Sequence, residues 1–153
     1  MFVAMNKKYT YLIMIFLIAA SLAAFGRIAG NDFINYDDTE YITDNHHIKS
    51  GINLQTIQWA FSNVVMANWH PLTMLSHTLD WNLFGASASG HHLMSLLLHI
   101  STSIFLFFFL NKTTKNIWTS AFAAALFVLH PLRVESVAWA SERKDVLSMF
   151  FGM

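Results

Sequence analysis

Two long runs without a single Lys, Arg, Asp or Glu govern what this sequence can become. Tyr9 to Phe25 is seventeen residues long, and Leu93 to Leu110 is eighteen, ending in Phe107-Phe108-Phe109. At about 1.5 Å per helical residue, each just crosses a hydrocarbon core of roughly 30 Å once flanking residues join it. A third run, Ile117 to Leu129, stops at His130-Pro131, and a fourth begins at about Val146. Only 12% of the 153 residues are charged, against roughly 25% in an average globular domain. With 55% hydrophobic residues and a mean hydropathy of +0.43, both a soluble fold and a disordered chain are excluded. Nine basic residues balance nine acidic ones, so no net charge points to nucleic acid, and the absence of Cys removes disulfides and thiolate sites. The sequence therefore predicts an all-α, polytopic transmembrane helical bundle, the N-terminal part of a longer membrane protein. Its spans fall at about 9–26, 93–110, 117–130 and 146–153 onward. Lys7-Lys8 with Ser21, Ala23 and Ala24 also fits a cleaved signal peptide, but the apolar stretch is long for one and is read as a retained span.

Charge placement sets the expected orientation. Residues 1–30 and the turn Asn111–Asn116 hold Lys7, Lys8, Arg27, Lys112 and Lys115 and no acid. The segment 31–90 carries Asp32, Asp37, Asp38, Glu40, Asp44 and Asp80 against Lys49 alone. Lys and Arg mark the cytoplasmic side. The amino terminus and the Lys112 turn are expected inside, and the loop 31–90 and the segment His130–Asp145 outside.

A sixty-residue loop without low-complexity sequence is expected to fold and to work. Leu54, Ile57, Phe61 and Val64/Val65 recur at helical spacing, and Pro71 suits the first turn of a second helix with Leu72, Leu75, Leu79 and Leu83 on one stripe. Trp59, Trp69 and Trp81 favour a water–lipid interface. Both segments are read as amphipathic helices lying on the outer membrane surface.

Three constellations could carry chemistry. The adjacent carboxylates Asp37 and Asp38 can supply a general base or help to bind a divalent cation, Mg or Mn, but can equally form a solvated acidic turn. Among eight His, His77 and Asp80 stand at i and i+3, with His70 one or two turns before. This spacing is a weak metal signal, and His70 is expected to cap its helix. His92, Ser95, His99 and Thr102 form one polar stripe on the second span, which should face the bundle interior. The third set runs from His130-Pro131-Leu132-Arg133-Val134-Glu135 to Ser141-Glu142-Arg143-Lys144-Asp145. Arg133, Arg143 and Lys144 could hold a phosphate, and Glu135 and Asp145 could pair with them.

The same residues carry a family resemblance. Asn35-Tyr36-Asp37-Asp38-Thr39-Glu40-Tyr41-Ile42, Asn68-Trp69-His70-Pro71-Leu72-Thr73, Gly90-His91-His92-Leu93 and above all Leu129-His130-Pro131-Leu132-Arg133-Val134-Glu135-Ser136-Val137-Ala138-Trp139 occur in this order. They resemble the membrane portion of the transmembrane and tetratricopeptide-repeat O-mannosyltransferases and their bacterial relatives, over about residues 28–153. The resemblance implies a GT-C glycosyltransferase fold and a polyprenyl-phosphate sugar as donor. It also implies a hydroxyl acceptor, in all expectation a protein, and an active site on the outer or lumenal face of a bacterial inner membrane or ER membrane. It implies catalytic roles for Asp37, Asp38 and Glu135 and phosphate binding by Arg133, Arg143 and Lys144. His130, His70, His99 and Asp145 would support them. Members often carry a second His where this chain has Arg133. Soluble tetratricopeptide repeats would follow the membrane region. Two other readings compete: a membrane-anchored repeat scaffold without catalysis, and a transporter using the intramembrane His stripe.

Overall fold

The computed structural model describes residues 7–153, and these are helical with no strand among them. The amino-terminal residues 1–6, which the charge reading places inside, lie outside the described part. Helix α1 (Lys7–Phe25) runs on into a 3-10 turn at Gly26–Gly30, and α5 spans Ala88–Thr114. These two are long and apolar enough to cross a bilayer. Helix α5 extends beyond the apolar run at both ends, because Ala88 to His92 and Asn111 to Thr114 continue the same helix. Helix α6 (Ile117–Leu129) has 13 residues and reaches only about 20 Å.

The turn between α5 and α6 is tight for local reasons. Lys115 adopts a left-handed conformation at φ 57°, and Asn116 accepts backbone N–H bonds from Trp118 and Thr119 to cap α6. An Asn cap of this kind is worth about 1 kcal/mol. The two helices therefore lie side by side, and α1 packs against both. Ile13, Leu17, Phe107, Ala124 and Val128 form their shared core. Small residues let the helices approach, and Ser21, Thr102 and Ser103 return their hydroxyls to the carbonyl one turn back, so these three hydroxyls are satisfied within their own helices. Tyr9 against Trp118 marks one end of this trio, and Phe25 against His99 lies toward the other.

At that second end the chain builds a separate small core. A short α2 (His46–Lys49), α3 (Leu54–Ser62) and α4 (Pro71–Phe84) enclose Tyr41, Ile42, Ile48, Ala60 and Met74, with Ala140 joining from far along the chain. Asn45 and Asn53 cap α2 and α3 with their side chains. Helix α3 ends at Ser62 instead of continuing through Val64 and Val65. Met66 and Ala67 take left-handed φ values of 46° and 62° and fold Val65 back on Asn68. Gly85, at φ 60°, makes the turn from α4 to α5, and a Cβ at Gly90 would lie 2.3 Å from the Phe84 ring.

The faces of α3 and α4 are inverted relative to a soluble protein. Helix α4 buries Thr73, His77, Thr78 and Asp80 and exposes Leu72, Leu79 and Leu83. Helix α3 likewise exposes Leu54, Ile57 and Phe61. After α6, the chain forms α7 (Arg133–Ala138), a 3-10 turn at Ala140–Glu142 and α8 (Arg143–Gly152), which packs on α5. Phe25, Ile28, Leu96, Val137 and Val146 join these parts in a third core. The polar stripe of α5 is buried throughout: His92, Ser95, His99 and Thr102 all face inward.

Candidate functional site

The acidic pair divides into two different groups. Asp38 is fully buried. Its Oδ2 accepts the Ile34 backbone N–H at 2.9 Å. Its Oδ1 accepts the Ser141 backbone N–H at 2.9 Å and also the Ser141 hydroxyl. Both oxygens are thus satisfied by the protein, as a buried carboxylate requires. The carboxylate of Asp37, half-buried beside it, bonds to none of the described residues. Tyr36 lies against Trp139 with ring centroids 6.3 Å apart, so the acidic loop is fastened directly to the segment after α7.

Arg143 is the largest fully enclosed side chain. Nε donates to Ser95 Oγ at 3.0 Å, one terminal nitrogen donates to Ser76 Oγ at 3.1 Å and to Asp80 Oδ2, and the other donates to the His91 carbonyl. The guanidinium is neutralised by Asp80 and faces no solvent, so its charge works between α4, α5 and α8 and is closed to a phosphate in this arrangement. Asp80 pays in return: burial pushes its carboxyl up to about 6, although Arg143 pulls it down. His77, enclosed beside it, is held well below its ordinary value by burial first and by Arg143 second.

Lys144, the next residue, points elsewhere. It pairs with Glu142 at 2.6 Å and lines an open groove of about 630 Å³. Burial lowers the Lys144 ammonium pKa, but Glu142 outweighs it and the net shift is upward. Phe61, Trp69, Pro71, Leu72, Leu147 and Phe151 make the groove apolar, and His70 and Asp145 add polar edges. His70 does not cap α4 through its side chain. Its ring stacks on Tyr41 at 5.2 Å instead, while the His70 carbonyl takes the Thr73 and Met74 N–H groups at 3.1 and 3.2 Å. Burial and the Lys144 charge lower the His70 pKa.

The remaining sequence-predicted residues gather beyond α6. Arg133 lies over the Phe127 ring at 4.4 Å, and a second cavity of about 460 Å³ is lined by Phe127, His130, Arg133, Ser136 and Asp145. The exposed His130 ring accepts the Leu132 N–H at 3.3 Å, and Asp145 accepts the Ser136 hydroxyl at 3.2 Å. Glu135 is exposed, and its carboxylate bonds none of the described residues. His99 is buried between Phe25 and Phe127 with Nε2 3.3 Å from the Val128 carbonyl, a packing position between α5 and α6.

The chain is 30% identical to protein O-mannosyl-transferase TMTC1 of Mus musculus over 86% of its own length and 15% of that protein. It is 32% identical to protein O-mannosyl-transferase TMTC4 of Mus musculus over 86% of its length and 20% of that protein. Protein O-mannosyl-transferase F38B6.6 of Caenorhabditis elegans is 28% identical over 92% of the chain and 22% of its own length. The chain belongs to this family of protein O-mannosyl-transferases. It spans between about a seventh and a quarter of the length of the relatives it matches. No protein-family model and no solved structure matches it.

Three relationships in this chain cannot be read from the order of its residues. Ser141 as the partner of Asp38, Asp80 as the partner of Arg143, and His91 beside both all depend on contacts between distant elements. One signal was present: an Arg and an Asp placed among apolar helices must find each other or leave a buried charge unpaired.

Proposed function

We propose that this chain forms the entry part of a multi-span GT-C membrane glycosyltransferase. The enzyme would move a sugar, mannose by the names of its relatives, from a polyprenyl-phosphate donor to a protein hydroxyl. The observation that carries the reading is the division of the acidic pair. Asp38 is consumed by protein bonds and holds Asp37 open, while the turn it grips leads within three residues to Lys144 in an apolar groove. A polyprenyl phosphate asks for that combination, an apolar trough for the chain and a cation for the phosphate.

In the proposed reaction, Asp37 takes the acceptor hydroxyl proton as the oxygen attacks the sugar C1. The bond from C1 to the phosphate oxygen breaks, and the lipid phosphate leaves. Lys144, with Arg133 from the neighbouring cavity, stabilises the charge that develops on it. Glu135 stands as the further carboxylate of the site. Arg143 is a positioning residue, fixing α8 so that Lys144 faces the groove.

The inverted faces of α3 and α4 support a bilayer setting. Leu54, Ile57, Phe61, Leu72, Leu79 and Leu83 would rest on the lipid surface, with α1, α5 and α6 crossing or entering it. The charge bias supports an outer or lumenal position for segment 31–90 and the site, and a cytoplasmic amino terminus. The test is transfer of labelled sugar from polyprenyl phosphate to an acceptor protein, in membranes carrying the full-length protein or its Asp37→Asn variant. The variant should lose at least about a hundredfold in rate. Undiminished transfer at equal expression would remove Asp37 from the mechanism.

A further inference from the structure

Helices α4 and α5 bury three metal-ligating side chains that the proposed transfer reaction does not use. His77 and Asp80 stand one turn apart on α4, and His91 reaches across from the first turn of α5. One donor atom from each lies within 4.8 Å of the others. All three residues have no solvent exposure. Both His77 nitrogens, Asp80 Oδ1 and His91 Nδ1 have no hydrogen-bond partner. A buried polar atom left unpaired costs about 1–3 kcal/mol. Such atoms converging from three residues call for a bound group.

The surrounding bonds fix which of these atoms are free to act as ligands. His91 Nε2 lies 3.3 Å from the Gly85 carbonyl, an acceptor, so this nitrogen carries the proton. Nδ1 then presents a lone pair, 3.5 Å from Asp80 Oδ2. Two facing lone pairs repel unless a proton or a metal ion lies between them, and a bridging proton would still leave both His77 nitrogens and Asp80 Oδ1 unpaired. A His whose second nitrogen donates to a backbone carbonyl is the arrangement that metal sites use to fix a ligand. Arg143 holds Asp80 by Oδ2 and leaves Oδ1 free to turn to an ion.

We propose that His77, Asp80 and His91 bind a borderline transition-metal ion of the zinc class. Two imidazoles and one carboxylate suit zinc, whereas magnesium and calcium select sites built from oxygen. At metal–ligand distances of about 2.0–2.1 Å, tetrahedral donors stand about 3.3 Å apart. The three side chains therefore draw together by rotamer-scale movements. A water or hydroxide would complete the fourth position. The ion ties α4 to α5 directly behind the first loop.

The test uses the full-length protein in detergent, equilibrated with zinc and then dialysed, with metal content measured per chain. A parallel sample carries cobalt. Wild type should retain about one zinc, and cobalt should give the intense visible bands of a four-coordinate site. His77→Gln and His91→Gln should weaken zinc retention by at least about a hundredfold, while His92→Gln, a buried neighbour outside the cluster, should retain it. Zinc no higher than in the dialysis buffer would overturn the proposal, as would the spectrum of hydrated cobalt alone or full retention by His77→Gln. The wild-type cobalt spectrum decides the matter even if a variant does not fold.

Discussion

Asp38 and Ser141 are 103 residues apart in sequence, yet one carboxylate oxygen of Asp38 receives both the backbone N–H and the hydroxyl of Ser141. The contact makes one of two adjacent acids structural and leaves its neighbour free. It also predicts that the two positions fail differently.

Asp38→Asn should lower stability by about 1.5–3 kcal/mol, the scale of a lost hydrogen bond to a charged group. Asp37→Asn should leave thermal unfolding in detergent nearly unchanged while removing transfer activity. Measuring unfolding and transfer on both variants separates the roles. Equal stability loss at both positions would contradict the division.

Removing one partner of the Asp80–Arg143 pair strands the other in a closed interior. Arg143→Ala should cost about 3–5 kcal/mol, far more than a surface arginine. Arg133→Ala, which lifts a cation off the Phe127 ring at a partly exposed site, should cost about 0.5–1 kcal/mol. Denaturant unfolding of the two variants side by side reads the difference.

Lys144 lines the apolar groove and keeps its positive charge through Glu142. Lys144→Ala should lower kcat/KM for the polyprenyl-phosphate donor by about tenfold to a hundredfold, with kcat falling because the charge that Lys144 faces grows as the phosphate leaves. An unchanged kcat/KM would place the donor phosphate elsewhere.

His70 resists protonation because burial and Lys144 both oppose its charge, with Glu142 acting weakly the other way. Its folded pKa lies below 6.5, so the unfolded chain binds the extra proton first as pH falls. His70 should therefore make stability decline as pH drops from about 6.5 toward its folded value, and His70→Gln should flatten that part of the profile. Thermal unfolding between pH 5 and 7.5, on both proteins, checks the sign.

The orientation has a direct probe because the chain contains no Cys. Single cysteines at the exposed Ser62 and Ser87 should react with an impermeant thiol reagent added from outside, and one at Thr113 should not. Labelling of Thr113→Cys alone would reverse the proposed topology.

The helices were legible where local physics decides them. Pro71 and the spacing of Leu72, Leu75, Leu79 and Leu83 announced α4, and the uncharged runs announced α1 and α5. The end of α3 was not, because left-handed Met66 and Ala67 answer to the turn they build and not to the apolar spacing of Val64 and Val65. The site was legible as a set of motifs but not as a division of labour. Arg143 sits in a run of charges that reads as surface, and only the partner on α4, 63 residues earlier, turns it inward. The role of Asp38 was hidden by the same distance, since nothing beside it distinguishes it from Asp37.

Ser141 and Arg143, which engage Asp38 and Asp80, are among the last residues of this stretch to be synthesised. The first loop is thus made roughly sixty to a hundred residues before its acids can be satisfied, and contacts of such separation form late because loop closure must come first. During that interval Asp38 and Asp80 must stay hydrated, which keeps α4 from settling into its final place. The first span can insert and the loop can emerge, but the site closes only when the chain beyond α6 arrives to lock it.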